Sequence, residues 1–406
     1  MEKTTLPSCV TRAPRNLGSR SHGKLKADQW RTACLVNLVI TLCRLWGGIN
    51  ASQKNQSLLR NYLSLVIAVR WATTRTTSNY HTDVVEQFLV YYIHSTLEIF
   101  GARALVYNNH ASLHVPECLG AYGPAHGWWA FPFERYNGVL QRFSTNSKIG
   151  QMEHTMLKAF CRGSNLRAMF SKENSLASLQ VLRTAFKQFF PSTSSILQTD
   201  LNHLDLNGTN TTTYDGLLDC LNEGILPHVY LSYQDKLRPH TWAIQPHAQE
   251  KCSVKYRGVT YSCSSKHLGN SRILFRLPNE TLQRAGEIQR IFVHQRHGPS
   301  NALVTEFFYV VRQYRELSDT QAAYDPYRKF PLLFVRLCHD ELTAEEQVIR
   351  NQNVISHFAG CPYESEELPG KFLVVLSLDK ASYPYLEGYD ADKMYSGMIR
   401  CQSHSL

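Results

Sequence analysis

The stretch that decides the fold of this chain is NNHASLHVPECLGAYGPAHGWWAFPFERYNGVLQRFSTNS, residues 108–147. It combines two closely spaced histidines, a cluster of aromatic residues and a single carboxylate at the start of an amphipathic segment. Pro132 has the fixed φ that suits the first turn of a helix, and the residues up to Phe143 keep helical spacing. The stretch therefore predicts a helix from Pro132 to Phe143 that carries Glu134 in its first turn.

The predicted helix has an apolar face and a polar face. Apolar side chains recur at helical spacing and predict a stripe that packs against a core: Phe133, Tyr136, Leu140 and Phe143. The neighbouring face is polar and comprises Glu134, Asn137, Gly138 and Gln141. Gly138 lacks a side chain one turn below Glu134, so a metal ion or a nucleic-acid backbone can approach there. The alternative is that Glu134 only interacts with the helix dipole.

The patterns HxxxH and GPxHxWWxFPFERYNGxLQRxxxN resemble the C-terminal part of a CACTA (En/Spm-type) transposase, including the domain of unknown function that follows its catalytic core. Their order is also similar to that in the RAG recombinase and its transposon relatives. The resemblance extends from Leu6 to about Leu378 and is densest over residues 16–46 and 110–167. It implies that the N-terminal part corresponds to the helical insertion and the last catalytic helix of an RNase H-like transposase.

The resemblance also implies roles for three residues. In that family two histidines complete a zinc site begun by an upstream CxxC pair, and a glutamate is the third acid of a DDE centre. By position, His110 and His114 match the histidine pair, and Glu134 matches the acid. The cofactors implied are zinc at the histidines and magnesium in the ancestral catalytic complex.

The chain departs from the family pattern in ways that limit both sites. No CxxC pair is present, whereas a closed zinc site takes four ligands; Cys118 is a candidate third ligand, and packing or hydrogen bonding is the favoured alternative for the histidines. A two-metal DDE centre needs several carboxylates. The acids upstream of Glu134 lie on no hydrophobic strand: Glu2, Asp28, Asp83, Glu86, Glu98 and Glu117. We therefore expect a catalytically incomplete fragment that begins inside the helical insertion, with Glu134 as a vestigial acid and no certain cofactor.

Charge points to DNA as the partner. The formal net charge is +10, and residues 1–200 carry 22 Lys+Arg against 10 Asp+Glu, so the first half is the expected polyanion-binding half, although a basic solvated face is an open alternative. The candidate DNA contacts are Asn137, Gln141, Arg142, Lys148, Arg162 and Arg167. Eleven cysteines without regular spacing and a polar, basic start favour a reducing compartment, and we expect the nucleus, with no membrane and no small-molecule substrate as partner.

Trp128, Trp129, Phe131 and Phe133 form an aromatic cluster with two interpretations. Exposed rings stack on unpaired bases, whereas buried rings wedge between helices. The second interpretation is the favoured expectation. His94, within an apolar helix, is likewise expected in the core rather than as a ligand.

The sequence predicts an α+β chain. Residues 1–190 are expected to be a basic all-helical domain, with helices from Asp28 to Gly47, 57–71, 82–100, 151–170 and 176–190. In the first, the apolar stripe is Trp30, Cys34, Leu38, Leu42 and Leu45. A Ser/Thr/Asn-rich linker is expected over residues 191–225, a β-rich module over 226–380 and a tail over 381–406.

Seven short β-branched and aromatic runs in the β-rich module predict a small antiparallel barrel or sandwich. They are CSVKYRGVTYSCS, SRILFRL, GEIQRIFVH, VTEFFYVVRQYREL, LLFVRLC, QVIRNQNVISHFA and KFLVVLSL. Their order faintly resembles a bromo-adjacent-homology domain, a chromatin-associated barrel. An alternative function follows, in which this module binds chromatin or transposase-complex proteins.

Overall fold

The computed structural model describes residues 2–19, 24–48, 50–142, 148, 150–171, 202–206, 211–223, 229–236, 239–256, 258–277, 280–298 and 302–378. The predicted helix 176–190 and the tail 381–406 lie outside these ranges. Contacts divide the chain into two compact units. Unit 1 comprises Met1–Pro124 and Leu197–Leu406, and unit 2 comprises Ala125–Ile196.

The N-terminal part of unit 1 is helical, as predicted. Its helices are α1 (Ala27–Thr32), α2 (Leu38–Trp46), α3 (Gln53–Ala72), α4 (Asn79–Phe100), α5 (Tyr107–Ser112) and α6 (Val115–Tyr122). A π-helical turn, Ala33–Asn37, joins α1 to α2. Gly47 is the C-cap of α2, as the sequence predicts, whereas the N-cap of α1 is Lys26 and Asp28 lies in the first turn.

Helices α3 and α4 pack against each other through a buried polar contact. The Asn61 amide donates to Tyr92 O at 3.1 Å and to the hydroxyls of Ser95 and Thr96 at 2.9 Å. These bonds satisfy the amide in the interior, which removes the penalty for burying it. His94 is exposed on α4, so the expectation that it is a core residue was wrong.

The C-terminal part of unit 1 is built on strands. They are β1 (Asn202–Asp205), β2 (Tyr230–Ser232), β3 (Trp242–Ile244), β4 (His247–Lys251), β5 (Ser253–Tyr256), β6 (Val259–Ser262), β7 (Arg272–Phe275), β8 (Arg284–His297), β9 (Leu303–Tyr314), β10 (Val335–His339), β11 (Leu342–Arg350), β12 (Val354–Tyr363) and β13 (Phe372–Ser377). Each of the seven predicted runs contributes at least one strand. The short helices α9 (Thr211–Asn222), α10 (Leu268–Ser271) and α11 (Asp319–Ala322) lie between them.

Nine of the described strands form one antiparallel sheet with the order β1-β4-β8-β7-β12-β13-β10, while β9 pairs with β8 and β11. The hairpin β5–β6 is separate, and β2 pairs with β3 in parallel. The α+β class is thus confirmed. No closed barrel is seen in the described part of the chain, because β1, β10 and β11 each pair on one side only. The prediction of a closed barrel was therefore wrong, since the described strands form an open sheet.

Part of the predicted linker belongs to the core. Within residues 191–225, β1 pairs with β4, and α9 packs on the sheet. Leu206 and Leu217 are fully buried there, with Leu221 nearly so. The Ser/Thr/Asn-rich composition is typical of a linker, although the few leucines in this segment are buried against the sheet. The linker prediction was therefore wrong over residues 202–206 and 211–222.

The helical part and the sheet share one hydrogen-bonded interior, contrary to the predicted boundary near residue 190. Thr5 forms a β-bridge with Gly360 of β12. Three further bonds cross between the two layers: Arg70 Nη2 donates to Ser377 O at 2.7 Å, Trp71 Nε1 to Leu332 O at 3.1 Å, and the Tyr327 hydroxyl to Ile40 O at 3.0 Å. Residues 1–124 therefore fold with the sheet.

Unit 2 contains two described helices, α7 (Phe131–Leu140) and α8 (Met152–Ser171). They contact through Tyr136 and Phe160, whose ring centroids lie 6.2 Å apart in an edge-on arrangement. The predicted helices at 132–143 and 151–170 are confirmed to within a few residues. Among the described helices, no segment combines the length and the apolar character needed to cross a membrane.

Candidate nucleic-acid interface

The two predicted zinc ligands lie side by side on the surface of unit 1. His110 is on α5 and His114 is the N-cap of α6, so the two histidines lie on either side of a break between two helices. Their ring centroids are 5.3 Å apart with the ring planes nearly perpendicular. His114 Nδ1 also lies 3.4 Å from a Glu117 carboxylate oxygen. The pair is held by ring packing and by one long polar contact between His114 and Glu117.

The donor set around the histidines does not fit a structural zinc site. Across the described residues, no three His, Cys, Asp or Glu side chains are grouped so that they can hold a metal ion. Cys118 is therefore not a third ligand in this arrangement. A closed site takes four ligands, and two exposed imidazoles fall short of that number.

Glu134 lies in the first turn of α7, and its side chain is exposed. The polar face predicted around it is present, since Asn137 and Gln141 are also exposed. A Cβ placed on Gly138 meets nothing within 4 Å, so the approach predicted beside this glycine is open. Glu134 belongs to unit 2, whereas His110 and His114 belong to unit 1. One carboxylate does not make a magnesium site for two ions.

The predicted apolar stripe of α7 is mostly exposed instead of buried. Phe133 is 70% exposed and Tyr136 is 55% exposed, while Leu140 is half-buried. Phe143 lies outside the described residues. The packing prediction failed because α7 contacts α8 over a narrow strip, which leaves most of its aromatic surface in solvent.

The aromatic cluster before α7 is also on the surface. Trp128 is 37% exposed and Phe131 is 42% exposed. Trp129 is half-buried and packs on His126 at a centroid distance of 4.1 Å and on Phe131 at 4.9 Å. The expectation of a core wedge between helices was wrong for these rings, apart from Trp129.

Helix α8 presents a row of basic side chains that the sequence interpretation identified only in part. His154, Lys158 and Arg162 follow one another at intervals of four residues and are all exposed. Residues four apart lie on the same face of a helix. Together with Gly150, Gln151, Thr155 and Ala159 they form one continuous face of α8 and the turn before it. Arg162 was predicted as a DNA contact; His154 and Lys158 were missed, although their i, i+4 spacing was a readable signal.

We refer to His154, Lys158 and Arg162 as the basic row. Glu153 is the nearest acid in sequence, but adjacent residues are about 100° apart around a helix, so it projects from another face. Unit 2 as a whole carries 9 Lys+Arg against 3 Asp+Glu over residues 125–196. The basic row therefore lies in a unit with a net positive charge, which attracts polyanions.

The other predicted DNA contacts in unit 2 are accessible where they are described. Asn137, Gln141, Arg142 and Lys148 are all exposed. The backbone of Arg167 lies in α8, and its side chain is outside the described part. The structure thus places Asn137, Gln141, Arg142 and Lys148 on the surface of unit 2.

Five arginines of the N-terminal part have contacts within unit 1. Two of them pair with exposed acidic side chains, Arg15 with Glu2 and Arg31 with Asp28. The other three donate to backbone carbonyls, Arg12 to Thr4 O, Arg44 to Glu364 O and Arg70 to Ser377 O, and Arg70 is buried. The basic row of unit 2, by contrast, is exposed along one helix face, and we take it as the candidate interface.

A groove of about 360 Å³ lies beside β10 and β13 in unit 1. Its polar lining includes the ion pair between Arg336 and Glu316, at 3.0 Å. Asp325 lies at its base and accepts from the backbone N–H groups of Tyr327 at 2.8 Å and Leu337 at 3.1 Å. Burial raises the pKa of the Asp325 carboxyl, and these two donors oppose the rise.

Comparison of the chain with protein-family models, with curated proteins and with solved structures gave no match.

Proposed function

We propose that this chain is a transposase-derived DNA-binding protein that binds DNA through unit 2 and is not catalytic by itself. The observation that carries the proposal is the basic row of α8, three exposed side chains on one face of a helix. The sequence resemblance to CACTA transposases supplies the origin of the unit and its RNase H-like ancestry. Nuclear localisation is part of the same proposal.

The binding proposed here is driven by phosphate contacts. Lysine and arginine neutralise phosphates and release counterions, so affinity falls steeply with salt and depends little on sequence. The exposed amides of Asn137 and Gln141 add uncharged donors to phosphate or base edges. Nothing in this mode requires a metal.

Catalysis is excluded from the proposal for a chemical reason. A DDE centre activates the attacking oxygen with two metal ions held by several acids, and among the described residues Glu134 belongs to no group of three or more His, Cys, Asp or Glu side chains that could hold a metal ion. Glu134 is then a remnant, or it is supplied in trans to a chain that carries the missing aspartates. Cleavage that requires Mg²⁺, appears only on mixing the two chains and is lost in Glu134→Gln would support the supply in trans. Its absence under every mixture would exclude it.

The proposal is tested by fluorescence anisotropy with the full chain and two duplexes of unrelated sequence. At about 50 mM salt we expect both to bind with similar affinity, because phosphate contacts carry no sequence information. The double variant Lys158→Ala/Arg162→Ala should weaken both equally, whereas Lys255→Ala, an exposed lysine on β5, should leave both unchanged. No affinity for either duplex at this salt concentration would refute the proposal.

A second candidate function is protein binding through the groove beside β10. Leu274, Leu317 and Val375 give it apolar surface, and the Arg336–Glu316 pair adds polar groups, a combination typical of a peptide side-chain site. A nuclear protein recovered by the full chain, lost in Leu317→Glu and retained in Lys158→Ala/Arg162→Ala would favour this function. A set of recovered proteins that Leu317→Glu does not alter would count against it.

A further inference from the structure

The hairpin β5–β6 places two cysteines opposite each other at its open end. Its register pairs Ser253 with Ser262, so the next position outward on each strand is a cysteine, Cys252 on one and Cys263 on the other. The backbone N–H of Cys263 donates to Cys252 O at 3.1 Å, which continues the ladder by one residue. Residues that lie opposite each other in an antiparallel pair direct their side chains to the same face. The two thiols are therefore neighbours.

The spacing of the two cysteines suits a disulfide. Opposite residues that share ladder hydrogen bonds have Cα atoms about 5.5 Å apart, and a disulfide spans Cα separations of roughly 4.4–6.8 Å. Burial raises the pKa of Cys263 to about 11, and the Cys252 thiol contributes to the rise through its charge. That electrostatic effect requires proximity, so it agrees with the backbone register. Both side chains are free thiols in the structure.

Access differs between the two thiols and sets the order in which they react. Cys252 is exposed, whereas Cys263 is 6% exposed and its thiol donates to Lys251 O at 3.6 Å. A peroxide therefore meets Cys252 first. The Cys252 sulfur attacks one peroxide oxygen, the O–O bond breaks and one water leaves, which gives a sulfenic acid. The Cys263 sulfur then attacks the oxidised sulfur, an S–S bond forms and a second water leaves. The two thiols lose two electrons and two protons in total, and hydrogen peroxide is reduced to water.

We propose that Cys252 and Cys263 are a site of oxidative modification, where a peroxide converts the two thiols into a reversible disulfide across the open end of β5–β6. Among the described strands this hairpin pairs only within itself. It packs on the nine-stranded sheet through the partly buried side chains of Val254, Tyr256 and Val259. A covalent link across its open end restricts its opening. A reducing compartment keeps the pair as thiols, so the link forms only when an oxidant is present.

The test treats the full chain with hydrogen peroxide, alkylates the remaining thiols in denaturant and locates disulfides by mass spectrometry of a proteolytic digest. We expect a peptide pair linked through Cys252 and Cys263, lighter by two hydrogen atoms than the separate thiol peptides. A thiol reductant should restore both thiols, and the linked pair should be absent in Cys252→Ser. Cys161→Ser is the matched control, because Cys161 is also exposed, and it should leave the link unchanged.

Hydrogen exchange of the oxidised and reduced chains measures what the link does to the hairpin. Closing a loop of about a dozen residues restricts the open state, which should slow exchange of the β5 and β6 amides by up to roughly 100-fold. Amides of α3, which lies outside this loop, should exchange equally in both forms. Cys252→Ser should show no difference between treated and untreated chain. Because Cys252 is exposed, this variant should keep the native circular dichroism.

Three outcomes would overturn the proposal. Peroxide that oxidises Cys252 while Cys263 is still alkylated in denaturant would show that the second thiol does not reach the first. A covalent dimer linked through Cys252 would show that the sulfur reacts with another chain instead of its neighbour. Equal exchange rates of the β5 and β6 amides in the linked and reduced chains would show that the link does not restrain the hairpin.

Discussion

Replacing Trp71 by phenylalanine tests whether the N-terminal helices and the sheet form one cooperative unit. Trp71 is fully buried at the end of α3, and its indole N–H donates to Leu332 O, just before β10. Its ring packs against Tyr80, at a centroid distance of 5.6 Å, and Phe334, at 5.9 Å. The side chain thus contacts both layers of unit 1.

The expected loss of stability has two parts. Removing the N–H leaves a buried carbonyl without this donor, which costs about 1–3 kcal/mol. The smaller ring leaves a space whose cost is on the order of 1 kcal/mol. We therefore expect Trp71→Phe to lower the free energy of unfolding by about 2–4 kcal/mol. Trp30→Phe is the matched control, because Trp30 is 53% exposed, and it should change stability by less than about 0.5 kcal/mol.

Hydrogen exchange of the full chain, read by mass spectrometry, measures the effect in each layer. If unit 1 opens as one body, the slowest amides of α3, β10 and β13 should all exchange roughly 30- to 1,000-fold faster in Trp71→Phe. The reasoning is refuted if α3 loses protection while β13 keeps it, since that would show two domains that unfold independently.

Two further predictions concern the sheet. Gly286→Ala on β8 should lower the free energy of unfolding by about 1–3 kcal/mol in urea denaturation, because the new Cβ would lie 2.7 Å from both Phe275 and Val311. Gly138→Ala is the control, because the space around Gly138 is open, and it should be neutral or stabilising by up to about 1 kcal/mol. Equal effects of the two substitutions would contradict the packing described for Gly286. Burial lowers the pKa of His357 from its usual 6.5 to about 4, so the unfolded chain binds a proton that the folded chain excludes. The contribution of His357 to the free energy of unfolding is therefore complete above pH 6.5 and falls by about 3 kcal/mol toward pH 4. His357→Gln should flatten the dependence of unfolding free energy on pH over this range. A pH dependence that is the same in His357→Gln as in the unaltered chain would contradict the lowered pKa of His357.

Much of the fold was readable from local patterns. The strands β7 to β13 follow β-branched and aromatic runs between Gly, Pro, Asn or Asp, and α3 and α4 follow long helical periodicities. In each case the side chains of neighbouring residues carry the signal, so one window of sequence suffices.

Long-range packing could not be predicted in this way. Leu206 and Leu217 sit in a polar segment and become core residues only because the sheet folds over them. In the first helix the predicted stripe included Trp30 and Leu45, which are exposed, whereas Ala33 and Val39 are buried. The π-helical turn at Ala33–Asn37 widens the helix by part of a turn and so changes which face meets the core.

The sequence predicted which types of residue the candidate interface contains, but not which of them share a helix face or are exposed. Arg162 was predicted as a DNA contact from its charge, whereas His154 and Lys158 were missed because charge alone does not show which residues share one face of a helix. The exposure of Phe133 was not readable either, since an aromatic stripe at helical spacing is typical of a buried face. Only the tertiary structure shows that Phe133 is exposed on α7, which contacts α8 within the described part of unit 2.

The most direct test of the central claim, that unit 2 is a polyanion-binding surface, is the salt dependence of duplex binding by the full chain. Each phosphate contact adds about 0.9 to the slope of log affinity against log salt, so Lys158→Ala/Arg162→Ala should reduce that slope by about 1.8. Lys255→Ala should leave it unchanged. A slope that is the same in the double variant as in the unaltered chain would contradict the claim, because the basic row would then carry none of the binding.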